Sequence, residues 1–159
     1  MHPFSLKAYL TLFEEIMIGR TGDYTWIIDR DPGQGILRSL QELSGKEAST
    51  PLRKDGISIA SHAGHVNWAL DFALTFMNGE TPTGKWPDSW KTKDLDEEDW
   101  LKLLEQIEDR AEAFRDKVKE REDWSDVQLE TGVLAFVPHM AYHLGAIRQL
   151  LKELREREV

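Results

Sequence analysis

Two histidine pairs are the residues of this sequence whose types and spacing could do chemistry. His62 and His65 stand three residues apart, and His139 and His143 stand four apart. Positions three or four residues apart share one face of a helix, so each pair can present two imidazoles in the same direction. The flanking residues are apolar, and a buried imidazole needs a partner for each ring nitrogen. A divalent metal ion on one nitrogen and a hydrogen-bond acceptor on the other would meet that need.

The alternative is that these four histidines are ordinary core or surface residues. Two ligands from one helix and one or two from another are a common way to build a metal site inside a helical bundle. The spacing alone leaves both interpretations open. The fifth histidine, His2, lies at the N-terminus and is not a candidate.

The composition limits the chemistry and the partners. The chain has 159 residues, no cysteine and a net charge of −9. Disulfides, cysteine-ligated zinc, iron–sulfur clusters and cysteine nucleophiles are therefore excluded, and a soft-metal site must use histidines and carboxylates. The acidic balance argues against nucleic acid and against an anionic membrane surface as partners.

Length and hydropathy predict one domain, residues 1–159, in the cytoplasm. The sequence has no run of about 18 apolar residues that could span a membrane. The N-terminal stretch "MHPFSLKAYL" lacks the basic start and long apolar segment of a signal peptide.

Four long amphipathic segments would position the histidines. Helical spacing of apolar residues and capping signals predict helices over 5–18, 58–78 and 94–122. A last helix continues to about Arg155, and it either begins near Pro138 or is kinked there. These four helices predict an all-α fold, a four-helix bundle with a long crossover loop.

The connections are predicted to be irregular apart from one short helix at 36–43. Residues 44–56, "SGKEASTPLRKDG", are expected to form a loop, and so are residues 79–92. The second loop contains Trp86 and Trp90. These tryptophans either cover the mouth of a site or pin the loop to the bundle surface, and we favour the second role.

The two histidine-bearing helices resemble those of a known superfamily. The segment "VPHMAYHLGAIRQLL" looks like the C-terminal signature of the DinB-like (YfiT-like) superfamily, in which His-x-x-x-His-x-Gly-x-Ile recurs. The segment "SIASHAGHVNWALDFALTFMNGE" resembles the other metal-binding helix of that family, and "WPDSWKTKDLDEEDW" resembles a loop of some members. The resemblance covers residues 5–152, and the two helices are its specific part.

The resemblance implies a four-helix bundle, usually a homodimer, in which three histidines hold a divalent metal ion. The ligands would be His65, His139 and His143. His62 would then be an outer partner or a substrate-facing residue, or the third ligand itself if the alignment is shifted. Zinc and nickel both suit imidazole ligands. The carboxylates Glu14, Glu15 and Asp71 are candidates for an acceptor behind a histidine, although Asp71 is expected to point elsewhere.

Such a site could activate a water molecule or an external low-molecular-weight thiol. Three neutral imidazoles leave a divalent ion with its full charge and with open positions, which lower the pKa of a bound water or thiol. Family relatives transfer thiols such as bacillithiol or mycothiol to electrophiles. The resemblance thus implies a metal-dependent thiol S-transferase or hydrolase acting on a small-molecule substrate. The alternative is a non-catalytic metal-binding or stress-associated bundle that binds a small ligand or partner.

Overall fold

The chain is all-helical in the computed structural model, which describes residues 5–157. Six α-helices and one 3-10 helix follow each other in this part of the chain: α1 (Leu6–Met17), α2 (Ile36–Gln41), α3 (Gly45–Ser49), α4 (Ile59–Met77), the 3-10 helix (Trp86–Trp90), α5 (Glu97–Glu120) and α6 (Val127–Arg157). The prediction of an all-α chain is confirmed. None of these helices is both long and apolar enough to cross a bilayer.

The four longer helices pack around a shared hydrophobic core. α4 contacts both α5 and α6, and α1 contacts the same two helices. Each of the four contributes a completely buried side chain to the core: Ile16, Leu70, Ile107 and Ile147. Apolar residues at helical spacing create one inward face on each helix, and burial of these faces holds the helices together.

Capping residues set the helix ends where the sequence indicates them. Ser5, Ser58 and Asp96 begin α1, α4 and α5, and each side chain accepts a hydrogen bond from the backbone N–H three residues later. α4 ends at Met77 with Asn78 as its C-cap, and Gly79 follows with a φ of +78°. Glycine adopts this conformation without the steric cost of a side chain.

The prediction of a loop over residues 44–56 is wrong in its first half, where α3 forms. Ser44 accepts a hydrogen bond from the backbone N–H of Glu47, and the Glu47 carboxylate accepts one from the backbone N–H of Ser44 at 2.8 Å. This reciprocal capping box stabilises the first turn of a helix. α3 also packs against α4 and α5, which adds tertiary support to a helix of only five residues.

α6 is one helix of 31 residues that passes through Pro138, so it does not begin near the proline. The carboxylate of Asp126 caps its start by accepting hydrogen bonds from the N–H groups of Gln128 and Leu129. Pro138 has no N–H to bond to the carbonyl of Leu134. Both residues lie on the exposed side of the helix, where water can satisfy that carbonyl.

Glu15 ties the connection after α1 to the helix itself. Its side chain is buried, and its carboxylate accepts hydrogen bonds from the backbone N–H groups of Trp26, Ile27 and Ile28 at 2.7–3.0 Å. Three backbone donors that lack a secondary-structure partner are thereby satisfied by one side chain.

Candidate metal centre

Three histidines from α4 and α6 meet inside the bundle. The Nε2 atom of His139 lies 3.3 Å from that of His65 and 3.0 Å from that of His143. His65 and His143 are completely buried, and His139 is half-buried. The cluster therefore combines two enclosed imidazoles with one that is accessible from outside.

The spacing of the three nitrogen atoms suits ligands of a single metal ion. Zinc–nitrogen bonds of about 2.0–2.1 Å in a tetrahedral site place two ligand nitrogens roughly 3.3 Å apart. The two Nε2–Nε2 distances of 3.0 and 3.3 Å agree with this value. One ring nitrogen from each of His65, His139 and His143 lies within 4.8 Å of the other two, so the cluster could hold a metal ion.

Hydrogen bonding assigns the proton of His65 to the nitrogen that faces away from the cluster. His65 Nδ1 lies 2.7 Å from Ser89 Oγ, and the Ser89 hydroxyl donates to the carbonyl of Trp86 at 2.6 Å. Because the hydroxyl proton is already engaged, Ser89 Oγ must accept the Nδ1–H of His65. The Nε2 atom is then a bare lone pair that faces the cluster, as a metal ligand requires.

His62 lies behind His143 and outside the cluster. The Nδ1 atoms of these two histidines are 3.1 Å apart, and His62 is buried. When His143 presents the lone pair of Nε2 to the cluster, its Nδ1–H donates to the Nδ1 of His62. The geometry therefore groups His65 with the α6 pair and gives His62 the position of an outer partner.

Hydrogen bonds among the histidines cannot satisfy all three convergent nitrogens. With the Nε2 atom of His65 bare, a proton on His139 Nε2 can serve His65 or His143 but not both fully, and without that proton His65 Nε2 gains no donor from His139. One convergent ring nitrogen therefore lacks a fitting partner within the cluster, which costs about 1–3 kcal/mol. A cation bound by all three nitrogens would remove this deficit.

Burial keeps the histidines in the neutral form that binds metals. Desolvation lowers the pKa of His62 and of His65 to about 4 and that of His143 to about 3. It also lowers the pKa of His139. For His65 and His143, repulsion from the neighbouring imidazoles adds to the effect of burial.

We expect the metal-free protein to lose stability as the pH falls from 7 to 5. Histidines in the unfolded chain have a pKa near 6.5, so the unfolded state binds more protons in this window and unfolding becomes more favourable. The part of the free energy of unfolding that depends on neutral histidines is present in full only above the unfolded-state pKa of about 6.5. It declines by roughly 2 kcal/mol per buried histidine between pH 7 and 5. Urea unfolding of chelator-treated protein at several pH values measures this slope.

The matched variant for this experiment is His143→Gln, which removes the histidine with the lowest pKa. Its free energy of unfolding should fall less steeply between pH 7 and 5. A slope equal to that of the unaltered chain would show that His143 is not held neutral by burial.

Two tryptophans of the 3-10 helix pack directly on the cluster. Trp90 stacks on His65 with ring centres 4.3 Å apart and planes at 16°, and Trp86 stacks on His139 at 5.9 Å and 22°. Trp86 remains 54% exposed. The two tryptophans therefore attach the loop to the bundle and also cover the histidines. On the sequence alone these two roles are alternatives, and the structure combines them.

A close approach at Gly64 seats the end of this loop on α4. A Cβ atom at Gly64 would lie 2.0 Å from Thr92 Oγ1 and 2.6 Å from Thr92 Cβ. The hydroxyl of Ser61 donates to the carbonyl of Thr92 at 2.8 Å and holds the same contact. Because Gly64 immediately precedes His65, the loop is anchored next to a residue of the cluster.

We expect Gly64→Ala to displace Thr92 and loosen the loop over the histidines. Overpacking at a tight contact costs about 1–3 kcal/mol, and the emission of Trp86 and Trp90 should shift to longer wavelength as they enter water. Denaturation and intrinsic fluorescence measure both effects. Thr92→Gly in the Gly64→Ala background removes the clashing atoms and should restore the spectrum. An unchanged spectrum in the single variant would contradict this role of Gly64.

The structure also corrects the candidates for an acceptor behind a histidine. Ser89 is such an acceptor, and the sequence offers no signal for it because it lies in the 3-10 helix of the connection between α4 and α5, 24 residues from its partner. Glu15 bonds to backbone groups elsewhere, and Glu14 lines a cavity between α1, α2 and α5. Asp71 points away, as expected, and pairs with Arg110 at 3.0 Å.

Comparison with known proteins identifies no relative of this chain. No protein-family model, no curated protein and no solved structure matches the chain. The relation to the DinB-like superfamily therefore stays a prediction that depends on the histidine-bearing segments.

Proposed function

We propose that this chain is a metal-dependent enzyme in which His65, His139 and His143 hold one divalent ion, zinc or nickel, for work on a small-molecule substrate. The observation that carries the proposal is the position of His139 Nε2, 3.3 Å from His65 Nε2 and 3.0 Å from His143 Nε2, with the His65 nitrogen bare because its ring proton faces Ser89. Sites with three protein ligands and an open position are typical of catalytic zinc rather than of structural zinc.

The bound ion would supply Lewis acidity, which lowers the pKa of a water molecule or thiol at the open position. Ser89 and His62 orient His65 and His143 through their outer nitrogens. Trp86 and Trp90 cover the cluster and limit the access of water to it. His139 is the accessible imidazole, so the substrate approaches from its side.

The reaction that we favour is transfer of an external low-molecular-weight thiol to an electrophile, with hydrolysis by water as the related alternative. The thiol must come from outside because the chain has no cysteine. In the transfer, the sulfur forms a bond to an electrophilic carbon, the leaving group departs with its bonding electrons, and the thiol proton passes to solvent.

We further propose that the four longer helices form a DinB-like four-helix bundle and that the chain is a homodimer. The packing of α1, α4, α5 and α6 and the pattern His-x-x-x-His-x-Gly-x-Ile at residues 139–147 support the first proposal. Exposed aromatic side chains support the second, since Trp26 and Tyr142 are 72% and 67% exposed. Sedimentation equilibrium measures the oligomeric state.

A thiol-conjugation screen tests the proposed activity. Protein without a histidine tag is loaded with zinc or nickel, or treated with a chelator, and mixed with a small thiol and a panel of aryl and alkyl electrophiles. We expect turnover that requires both the metal and the thiol and that is absent in the His139→Ala/His143→Ala variant. Metal binding without turnover would favour the non-catalytic binding protein.

A further inference from the structure

An apolar cavity of about 260 Å³ lies beside the histidine cluster, between α4 and α6. Trp68 and Phe72 from α4, Phe136 from α6 and Trp86 from the 3-10 helix form part of its wall. His139 lines the cavity and belongs to the cluster as well. An occupant of the cavity would therefore lie in contact with a proposed metal ligand.

The wall of the cavity indicates the chemistry of its occupant. Within residues 5–157, no aspartate, glutamate, lysine or arginine lines it, and His139 is the one titratable side chain there. A charged or strongly polar group would lose its hydration in the cavity without gaining partners. The aromatic rings at its entrance, Phe72 and Trp86, are 41% and 54% exposed, so the cavity presents apolar surface to solvent.

The size and the ring geometry favour a planar aromatic occupant. The ring of Trp68 lies 5.2 Å from Phe72 and stands nearly perpendicular to Trp86 at 5.7 Å, an arrangement that an additional ring can extend by edge-to-face contact. An apolar cavity of roughly 150 Å³ is enough to bind benzene. A cavity of about 260 Å³ therefore accommodates one to two rings.

We propose that this cavity binds the body of the substrate, an uncharged aryl group of one to two rings whose single reactive group points towards His65, His139 and His143. The substrate class is thus a small aromatic electrophile, and sugars, nucleotides and peptides are excluded by their polarity. The position of the reactive group rests on the proposed function, whereas binding of the aryl body depends on the cavity alone.

Gly132 offers a way to fill the cavity without disturbing α6. It lines the cavity, and apart from its chain neighbours and the backbone of its own helix turn, no described atom lies within 4 Å of the place where its Cβ would stand. Gly145 is equally unobstructed on the same helix but faces the connection that follows α1. Leucine has a higher helix propensity than glycine at both positions, so Gly132→Leu and Gly145→Leu are matched variants that differ in their relation to the cavity.

Two hydroxamates with the same metal-binding group test the complete proposal on zinc-loaded protein. We expect 2-naphthohydroxamate to bind at least about 100-fold more tightly than acetohydroxamate, because its rings are removed from water in the cavity. Gly132→Leu should reduce this preference to less than about 10-fold, and Gly145→Leu should leave it unchanged. Equal affinity of both hydroxamates for the unaltered protein would overturn the proposal while leaving the metal centre intact.

Naphthalene, which has no metal-binding group, tests the cavity separately on chelator-treated protein. We expect it to shift the amide resonances of residues 132–136, and Gly132→Leu should abolish these shifts. Such shifts in a protein to which neither hydroxamate binds would support the aryl site and contradict the metal centre. No shift in the unaltered chain would overturn the aryl site, whatever the hydroxamates do.

Discussion

Replacing His143 with alanine should weaken zinc binding by more than 100-fold, and the helices should remain folded. Removal of an outer partner of a metal ligand typically costs about 10–100-fold in affinity, and removal of a ligand should exceed this. His143 is completely buried, and its Nε2 lies 3.0 Å from that of His139, so water cannot easily take its place. Titration against a competing chelator measures the affinity, and circular dichroism checks the helices.

His62→Phe is the control that separates a ligand from its outer partner. Phenylalanine keeps a planar ring in the buried position and removes the Nδ1 atom that stands 3.1 Å from His143. We expect this variant to bind one zinc ion per chain with about 10–100-fold lower affinity. If His62→Phe lost the metal entirely and His143→Ala retained it, the two histidines would have the reverse roles.

Replacing Glu15 with alanine should lower the free energy of unfolding by about 3–5 kcal/mol. The change deletes the acceptor of three backbone N–H groups, of which that of Ile28 is buried and those of Trp26 and Ile27 are partly buried. Each unsatisfied buried donor costs about 1–3 kcal/mol, and part of this cost is recovered where water enters the gap. Urea unfolding monitored by circular dichroism measures the loss.

Glu14→Ala is the matched control, because it makes the same change one residue earlier on α1. Glu14 is only half-buried and does not hold the 26–28 segment, so its removal should change the stability by less than about 1 kcal/mol. Equal losses in the two variants would show that Glu15 acts through general properties of α1 rather than through its hydrogen bonds.

Local signals in the sequence account for most of the helices. Serine and aspartate caps define the starts of α1, α4 and α5, since their hydrogen bonds involve only the next turn of the chain. α3 carries an equally local signal, the capping box of Ser44 and Glu47. Because the segment is short and contains Pro51, its composition nevertheless predicts a loop.

Local signals in the sequence predict only part of the candidate site. Four-residue spacing is enough to place His139 and His143 on one face. It does not decide between His62 and His65, because the rotation of α4 relative to α6 determines which of them reaches the cluster. The contact of Ser89 with His65 depends on how the connection between α4 and α5, with its 3-10 helix, packs back on the bundle, and no periodic pattern in the sequence predicts that packing.

Anomalous diffraction from crystals of the zinc-loaded protein is the most direct test of the metal centre. We expect a single peak at the zinc absorption edge, about 2.0–2.2 Å from the Nε2 atoms of His65, His139 and His143, with His62 outside the coordination sphere. A peak bound by His62 instead of His65 would contradict the ligand assignment. No peak among the three histidines at saturating zinc would contradict the metal centre itself.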